Sequence, residues 1–236
     1  HRQYYDQAAG HLRFQQHLYS DSTYYFLTYG GSSGKRIGTA PTVGSGSPAA
    51  LRGFQFYSTD APNLQKLGRM WFSDELGSTG RSKTYNFSMG PLSPSGAVTV
   101  HLQVAARAER TTTFSITANG TSQSISVGAV PDMDVPWQTY ANVQDLTFTL
   151  PASSVSGGNL SITIRYNGAG RESAWVDFIE LDYPRAASFS GAQVPFSLVN
   201  GGSPSNQQVS LAGAPNVWDV TVPYNARQVP GGGSFA

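Results

Sequence analysis

The sequence predicts an all-β protein, an antiparallel β-sandwich of two sheets with jelly-roll connectivity. Charged residues make up only 12% of the 236 residues, about half of the roughly 25% in typical soluble domains. Glycine, tyrosine and phenylalanine are abundant, at 26, 12 and 12 residues. This composition favours strands joined by tight turns. Strand-like segments also follow one another at short spacing, which is the pattern of a sandwich.

The strand-like segments alternate apolar and polar residues or are rich in β-branched and aromatic residues. In chain order they are Thr23–Tyr29, Gly53–Ser58, Lys83–Met89, Ala97–Arg107, Thr112–Ala118, Gln123–Val127, Leu146–Leu150, Asn159–Tyr166 and Ala174–Tyr183. In Ala97–Arg107, every second residue from Val98 to Val104 is apolar, and His101 lies on the opposite, polar face. Asn119-Gly120 between two of the segments is a strong hairpin signal.

One short helix is predicted within Asn63–Leu76, where Leu64, Leu67 and Trp71 recur at helical spacing. After Pro184 the composition of the sequence changes, and two short apolar segments are separated by Gly, Ser, Pro and Asn. We therefore assign residues 1–185 to the sandwich. We expect residues 186–236 to form a C-terminal β extension that leads to a further, downstream domain.

Composition and residue types exclude several functions. A net charge of +1 gives no electrostatic support for binding nucleic acid or an anionic membrane surface. No apolar segment approaches the roughly 18 residues of a membrane span. The chain has no cysteine, which excludes disulfides, thiolate zinc sites and a cysteine nucleophile within it. The four histidines are scattered, so we expect no metal cluster from them, and we expect His101 to be solvated.

Acids and aromatic residues offer candidate glycosidase and sugar-binding sites. Closely spaced acids that could form a glycosidase pair are Asp74 with Glu75, Asp132 with Asp134, and Asp177 with Glu180 and Asp182. Aromatic residues that could stack on sugar rings are Trp137 with Tyr140, and Tyr24 with Tyr25. We expect the acids in loops to be solvated and most of the aromatic side chains to fill the core or cover its edges.

Asp177 is the candidate metal ligand. Strict alternation puts it on the same strand face as Trp175 and Ile179, where a bare carboxylate would cost several kcal/mol. It could accept hydrogen bonds from loop N–H groups, or bind calcium together with loop carbonyls. It could also pair with an arginine, and the candidates are Arg69, Arg165 and Arg171. No cluster of acids like that of an EF-hand surrounds it, so we favour a structural partner over calcium.

The segment Ser173–Leu181, SAWVDFIEL, resembles the closing strand of galactose-binding-like jelly rolls. The resemblance implies a fold in which some members bind sugars and some carry a structural calcium ion. It therefore supports one alternative function, that of an autonomous carbohydrate-binding module. A complete glycoside hydrolase or lyase is a further alternative, which would need convergent acids or a His, Tyr and Arg set in a deep cleft.

A second resemblance covers most of the chain. Four segments, Leu18–Ile37, Asn63–Leu76, Ala174–Arg185 and Asn216–Asn225, occur in the order found in the N-terminal region of the PorU family. That family comprises the gingipain-like C-terminal signal peptidases, or sortases, of the Bacteroidetes type IX secretion system.

Individual residues match the family to different degrees. Tyr19-Ser20-Asp21 and Tyr24–Thr28 match its pattern, as does Trp218–Thr221, which in the family precedes the peptidase domain. The family typically reads Gly-Arg-Glu-Trp-Phe-Gly-Glu where this sequence has Gly68–Asp74, and the sequence departs from it at Met70, Ser73 and Asp74. No role that depends on the two acids of the family is therefore assigned to these positions.

The resemblance implies an exported parent protein at the cell surface, bound to an outer-membrane barrel partner. Such a parent removes the C-terminal sorting domain of secreted cargo with a Cys–His pair and transfers the cargo to an anionic lipopolysaccharide. Since this chain has no cysteine, we expect it to be no enzyme itself. It would be the sandwich that precedes the peptidase domain and supports it, or helps it to meet the barrel partner or cargo. Trp218 and Asp219 are the interface candidates, and we expect an exposed apolar patch around them.

Overall fold

A computed structural model of the chain describes residues 2–15, 22, 24, 26, 29–31, 33–41, 47–48, 50–59, 71–77, 81–135, 139–187, 193–199, 207–208, 216–230 and 234–235. The chain forms two compact units. The first contains His1–Tyr19 and Phe54–Pro184, and the second contains Ser20–Gly53 and Arg185–Ala236. Among the described residues, no helix is long and apolar enough to cross a membrane.

The first unit is an antiparallel sandwich. Its strands are β1 (Arg2–Asp6), β2 (His11–Gln15), the end of β5 (Ala50–Tyr57), β6 (Asp74–Glu75), β7 (Ser82–Ser88), β8 (Ala97–Arg107), β9 (Thr112–Ala118), β10 (Thr121–Val127), β11 (Asn142–Pro151), β12 (Asn159–Tyr166) and β13 (Ser173–Pro184). One sheet has the order β10-β9-β12-β7, and the other has the order β11-β8-β13-β5 with β6 paired to β13. The strands β1 and β2 form a separate hairpin.

The core lies between these two sheets and follows from the alternation in the sequence. Val98, Val100, Leu102 and Val104 of β8 are fully buried. They meet apolar residues of the opposite sheet, such as Phe114 of β9. At roughly 25 cal/mol per Å² of apolar surface, side chains of this size dominate the stability of the unit.

The strand β13 contains a β-bulge at Asp177, and this bulge changes the predicted facing of its residues. The register against β8 shifts between Val176 and Phe178, so Asp177 is the extra residue. Ile179 is therefore in the core on the same face as Val176, while Trp175 packs in a separate cluster with Phe72 and Ala105. The expectation that Trp175 and Ile179 share a face was wrong, because strict alternation holds only without a bulge.

The second unit consists of short strands. They are β3 (Gly38–Thr39), β4 (Ser47–Pro48), the start of β5, β14 (Ser197–Val199), β15 (Gln207–Gln208), β16 (Val217–Asp219), β17 (Arg227–Val229) and β18 (Ser234–Phe235). Two three-stranded sheets have the orders β18-β15-β4 and β16-β17-β3, and β14 pairs with the first residues of β5. A small core formed by Ala40, Leu51, Val217 and Val229 holds this unit together.

Most predicted strands are confirmed. Ala97–Arg107, Thr112–Ala118 and Asn159–Tyr166 have the predicted bounds, and the Asn119-Gly120 hairpin is present with both residues at positive φ. Most of the predicted helix and of the strand Thr23–Tyr29 lies outside the described residues. The described end of that helix, residues 71–76, is not helical and contains β6.

Candidate functional site

Two buried carboxylates of β13 hold the N-terminal hairpin against the outer face of the β11-β8-β13-β5 sheet. Glu180 Oε1 accepts a hydrogen bond from the N–H of Phe14 at 2.7 Å, and Asp182 Oδ2 accepts one from the N–H of Leu12 at 2.9 Å. Each carboxylate residue is only 2% exposed. Because a buried carboxylate must be hydrogen-bonded, these bonds explain why acids are tolerated on this strand face.

A pair of histidines lies beside Glu180. His101 of β8 is directly opposite Glu180 in the strand register, and its Nδ1 is 2.6 Å from Glu180 Oε2. The ring of His11, from β2, has its centroid 5.5 Å from that of His101. Both histidines are 4% exposed. The face of β8 that was predicted to be solvated is therefore covered by the hairpin.

A backbone contact of His11 indicates which of its ring nitrogens donates a hydrogen bond. Its Nδ1 is 3.1 Å from the carbonyl oxygen of Ala9, and a carbonyl only accepts hydrogen bonds. Nδ1 therefore carries a hydrogen, and in the neutral ring Nε2 keeps its lone pair. This Nε2 is buried and has no hydrogen-bond partner among the described residues, which is unusual for a buried polar atom.

These three side chains could hold a metal ion. One ring nitrogen from each of His11 and His101 and one carboxylate oxygen of Glu180 lie within 4.8 Å of one another. Two imidazoles and a carboxylate form a donor set that suits zinc and similar divalent ions. Arg13 Nε also approaches Glu180 Oε2, at 3.4 Å, so a positive side chain adjoins the same carboxylate.

The histidine predictions were wrong in two respects, because His11 and His101 are close together and His101 is buried. The reason is the hairpin, which brings together residues far apart in the sequence. The sequence signal for this hairpin was Asp6 and Gly10 in the segment after β1. In the structure, Asp6 Oδ1 accepts hydrogen bonds from the N–H groups of Ala8 and Ala9, and Gly10 has φ +72°. Asp and Gly at these positions are typical of turns.

Asp177, the predicted metal ligand, is half-buried at the bulge. Its backbone carbonyl accepts a hydrogen bond from Ser73 Oγ at 2.5 Å. It belongs to neither of the two groups of potential metal ligands among the described residues. Of its candidate arginine partners, Arg171 contacts Asp134 and Glu109. Calcium binding by Asp177 stays the less favoured of the alternatives that the sequence left open.

Asp74, one of the acids considered for a glycosidase pair, is half-buried on β6 and has structural partners. Its Oδ2 accepts hydrogen bonds from the hydroxyls of Tyr57 and Tyr85, both at 2.9 Å, and its Oδ1 pairs with Lys83. Burial raises the pKa of Asp74, but the hydrogen bonds from Lys83 and the two tyrosines outweigh it and leave the pKa below its usual value. Burial, followed by the neighbouring Asp74, raises the pKa of Tyr85.

Asp132 and Asp134 lie in a loop near Glu109, and these acids form the second group of potential ligands. The guanidinium of Arg171 already contacts this group, 2.9 Å from Asp134 Oδ1 and 3.3 Å from Glu109 Oε1. Asp134 is exposed, as predicted. The hydrogen bond from Arg171 and its positive charge lower the pKa of Asp134. This surface cluster is therefore explained by an ion pair.

Trp218 and Asp219, the interface candidates, lie on β16 in the second unit. Val217 faces the small core, so alternation turns Trp218 outward, where it is 56% exposed. Val220, Val222 and Tyr224 are 61%, 56% and 90% exposed. Asp219 Oδ1 accepts a hydrogen bond from the N–H of Thr221 at 2.9 Å. The segment 218–224 thus exposes four large apolar side chains, and its role as an interface stays a prediction.

The aromatic residues considered for sugar binding are not assembled into a platform by the described part of the chain. Tyr140 packs against Trp175, and the guanidinium of Arg107 lies 4.1 Å from its ring centroid. Tyr24 is exposed, while Trp137 and Tyr25 lie outside the described residues. Glycan binding stays a prediction that a titration would test.

Comparison with known proteins supports the fold. No protein-family model matches the sequence, and no curated protein matches it. Among solved structures, the chain is similar to dimeric latent PorU from Porphyromonas gingivalis, with a TM-score of 0.65 and 15% identity. The match covers 83% of this chain and 19% of the PorU chain.

Carbohydrate-binding modules are matched more weakly. A family 36 module in complex with calcium and xylotriose matches 55% of this chain and 98% of its own, with a TM-score of 0.32 and 14% identity. A family 35 module from Clostridium thermocellum matches 56% of this chain and 90% of its own, with a TM-score of 0.32 and 15% identity. TM-scores this low carry no weight for function. The comparisons thus define an all-β sandwich protein, similar in structure to part of PorU.

Proposed function

We propose that the chain is a non-catalytic β-sandwich region of a PorU-type cysteine endopeptidase, the sortase of a type IX secretion system. The observation that carries this proposal is the structural similarity to PorU over 83% of the chain at a TM-score of 0.65. The four sequence segments that resemble the family, in the same order, support it independently. The parent protein would be exported and would act at the cell surface, next to an outer-membrane barrel partner and secreted cargo.

The chain would support the peptidase domain and would leave the chemistry to it. A Cys–His peptidase needs a thiolate nucleophile, and this chain contains no cysteine. The patch formed by Trp218, Val220, Val222 and Tyr224 would be the contact surface for the peptidase domain. Large aromatic and branched side chains of this kind dominate the energy of protein interfaces once they are desolvated. Their exposure here fits a surface that a second domain covers.

The gene sequence beyond the codon for Ala236 provides the first test. We expect a gingipain-like domain with a cysteine and a histidine in its catalytic motifs. A stop codon or a glycosidase domain there would refute the assignment to a sortase.

The contact surface is tested in the whole parent protein, with a protease site introduced directly after Ala236. After cleavage, the two parts of the wild-type protein should elute together in size-exclusion chromatography, and the Trp218→Ser variant should separate. Trp71→Ser is the matched control, because Trp71 is also exposed, at 40%, but belongs to the first unit. If the wild-type parts separate, the patch does not hold the peptidase domain, whatever the gene encodes.

A further inference from the structure

We propose that His11, His101 and Glu180 form a binding site for a divalent cation of the zinc class, which fastens the β1–β2 hairpin to β8 and β13. This site goes beyond the proposed function, since it concerns the first unit alone. Its three ligands come from three strands, β2, β8 and β13. A bound ion would therefore cross-link the N-terminal hairpin to the centre of a sheet.

The first observation is the convergence of donors. A ring nitrogen of each histidine and a carboxylate oxygen of Glu180 lie within 4.8 Å of one another. His101 Nδ1 and Glu180 Oε2 are already 2.6 Å apart. Ligand distances to zinc of about 2.0–2.2 Å place the donor atoms of a tetrahedral site about 3.3–3.6 Å apart, between the two separations seen here. Small side-chain movements would therefore complete the coordination.

The second observation is the unpartnered nitrogen of His11. Its Nε2 is buried without a hydrogen-bond partner among the described residues, in a residue that is only 4% exposed. In the neutral ring, the hydrogen bond from Nδ1 to the carbonyl of Ala9 leaves a lone pair on Nε2, and metal coordination requires a lone pair of this kind. A metal ion would satisfy this atom.

The surroundings of the three side chains match those of metal ligands, whose second polar atoms are usually held by neighbours. His11 Nδ1 bonds the carbonyl of Ala9, and Glu180 Oε1 accepts from the N–H of Phe14. His101 Nε2 lies 3.9 Å from Asp145 Oδ1, which places a carboxylate behind the second ring nitrogen. Each proposed ligand is thus oriented from its far side.

The donor types select the class of ion. Imidazole nitrogens suit zinc, copper and nickel, whereas calcium and magnesium prefer six or more oxygen ligands. The competing account is an ion pair, in which Arg13 and a protonated His101 neutralise Glu180 without a metal. Arg13 Nε makes no hydrogen bond, although it is buried, and an ion pair leaves His11 Nε2 without a partner.

The test is a titration of the chelator-treated chain with Zn²⁺, followed by isothermal calorimetry and by elemental analysis of the retained metal. We expect about one ion per chain and no competition from Ca²⁺. His11→Gln should weaken binding at least about tenfold. The matched control is the double variant His1→Ala/His17→Ala, which removes the two histidines that are not among the proposed ligands and should bind like the wild-type chain.

A measurement on the wild-type chain covers the case in which His11→Gln fails to fold. In NMR spectra of the four imidazole rings, Zn²⁺ should shift the signals of two histidines, assigned through the His1→Ala/His17→Ala spectrum. The proposal is overturned if the wild-type chain retains no metal, which leaves the ion pair with Arg13 as the account of the cluster. Unchanged binding by a folded His11→Gln variant, or loss of binding in the double variant, would overturn it as well.

Discussion

Two adjacent glycines before β12 allow the contribution of one close backbone contact to be measured. Gly157 and Gly158 both have positive φ, +63° and +75°, so alanine at either position costs about 1–2 kcal/mol in backbone strain. At Gly157 the added Cβ would meet only Asn159 Nδ2, at 3.6 Å. At Gly158 it would lie 2.0 Å from the carbonyl oxygen of Gly90.

This overlap with backbone cannot be relieved by a side-chain rotation. The Gly158 carbonyl also accepts a hydrogen bond from the N–H of Met89 at 2.8 Å, so a shift of the loop would disturb that bond too. Overpacking of this kind costs a further 1–3 kcal/mol or so. We therefore expect Gly158→Ala to lower the free energy of unfolding by about 2–5 kcal/mol, against about 1–2 kcal/mol for Gly157→Ala.

The assay is urea denaturation followed by tryptophan fluorescence, since Trp175 is 2% exposed in the same unit and reports its unfolding. The midpoint for Gly158→Ala should fall well below that for Gly157→Ala. Equal midpoints for the two variants would show that the approach of Gly158 to Gly90 is not the constraint described here.

Further predictions concern pH, the apolar patch and calcium. The folded-state pKa of Asp74 is lowered, so the stabilisation by its carboxylate is present above its unfolded pKa of about 4 and is lost as pH falls through the folded pKa. In thermal melts at decreasing pH, the melting temperature of the wild-type chain should therefore fall more steeply than that of Asp74→Asn. Trp218→Ala should change stability by no more than about 0.5 kcal/mol, whereas Val217→Ala should cost about 1.6 kcal/mol, both measured by urea denaturation followed by far-UV circular dichroism, which reports the strands of the second unit as well as those of the first. Adding Ca²⁺ to the chelator-treated chain should leave its melting temperature unchanged, and a rise that Asp177→Asn abolishes would restore the calcium interpretation of Asp177.

The sandwich strands could be predicted because their signals are local. In β8, the alternation from Val98 to Val104 defines both the strand and its buried face, and Asn119-Gly120 defines a hairpin from two residues alone. The bulge at Asp177 has no comparable signal. It depends on the pairing of β13 with β8, which the sequence of β13 alone does not contain.

The candidate metal site could not be predicted for a related reason. Spacing rules detect metal ligands that are close in sequence, whereas His11, His101 and Glu180 are brought together by a hairpin lying on a sheet. The sequence also predicted correctly that His101 lies on the polar face of β8, but the prediction that its side chain is solvated was wrong. A polar face was equated with a solvated one, although Glu180 and Asp182 on the same face of the neighbouring strand β13 supply hydrogen-bond acceptors for a covering strand.

The bulge at Asp177 divides β13 into two halves, and the alternation of core-facing residues is shifted by one residue between them. Before it, the even-numbered residues Ala174 and Val176 face the core, and after it the odd-numbered residues Ile179 and Leu181 do so. Removing this one residue would restore an unbroken ladder, and the remaining residues would then alternate regularly with every side chain on its present face. Relatives that lack the extra residue should therefore show an uninterrupted alternation of polar and apolar residues, and a sequence alignment that opens no gap at Asp177 will pair core residues with surface residues.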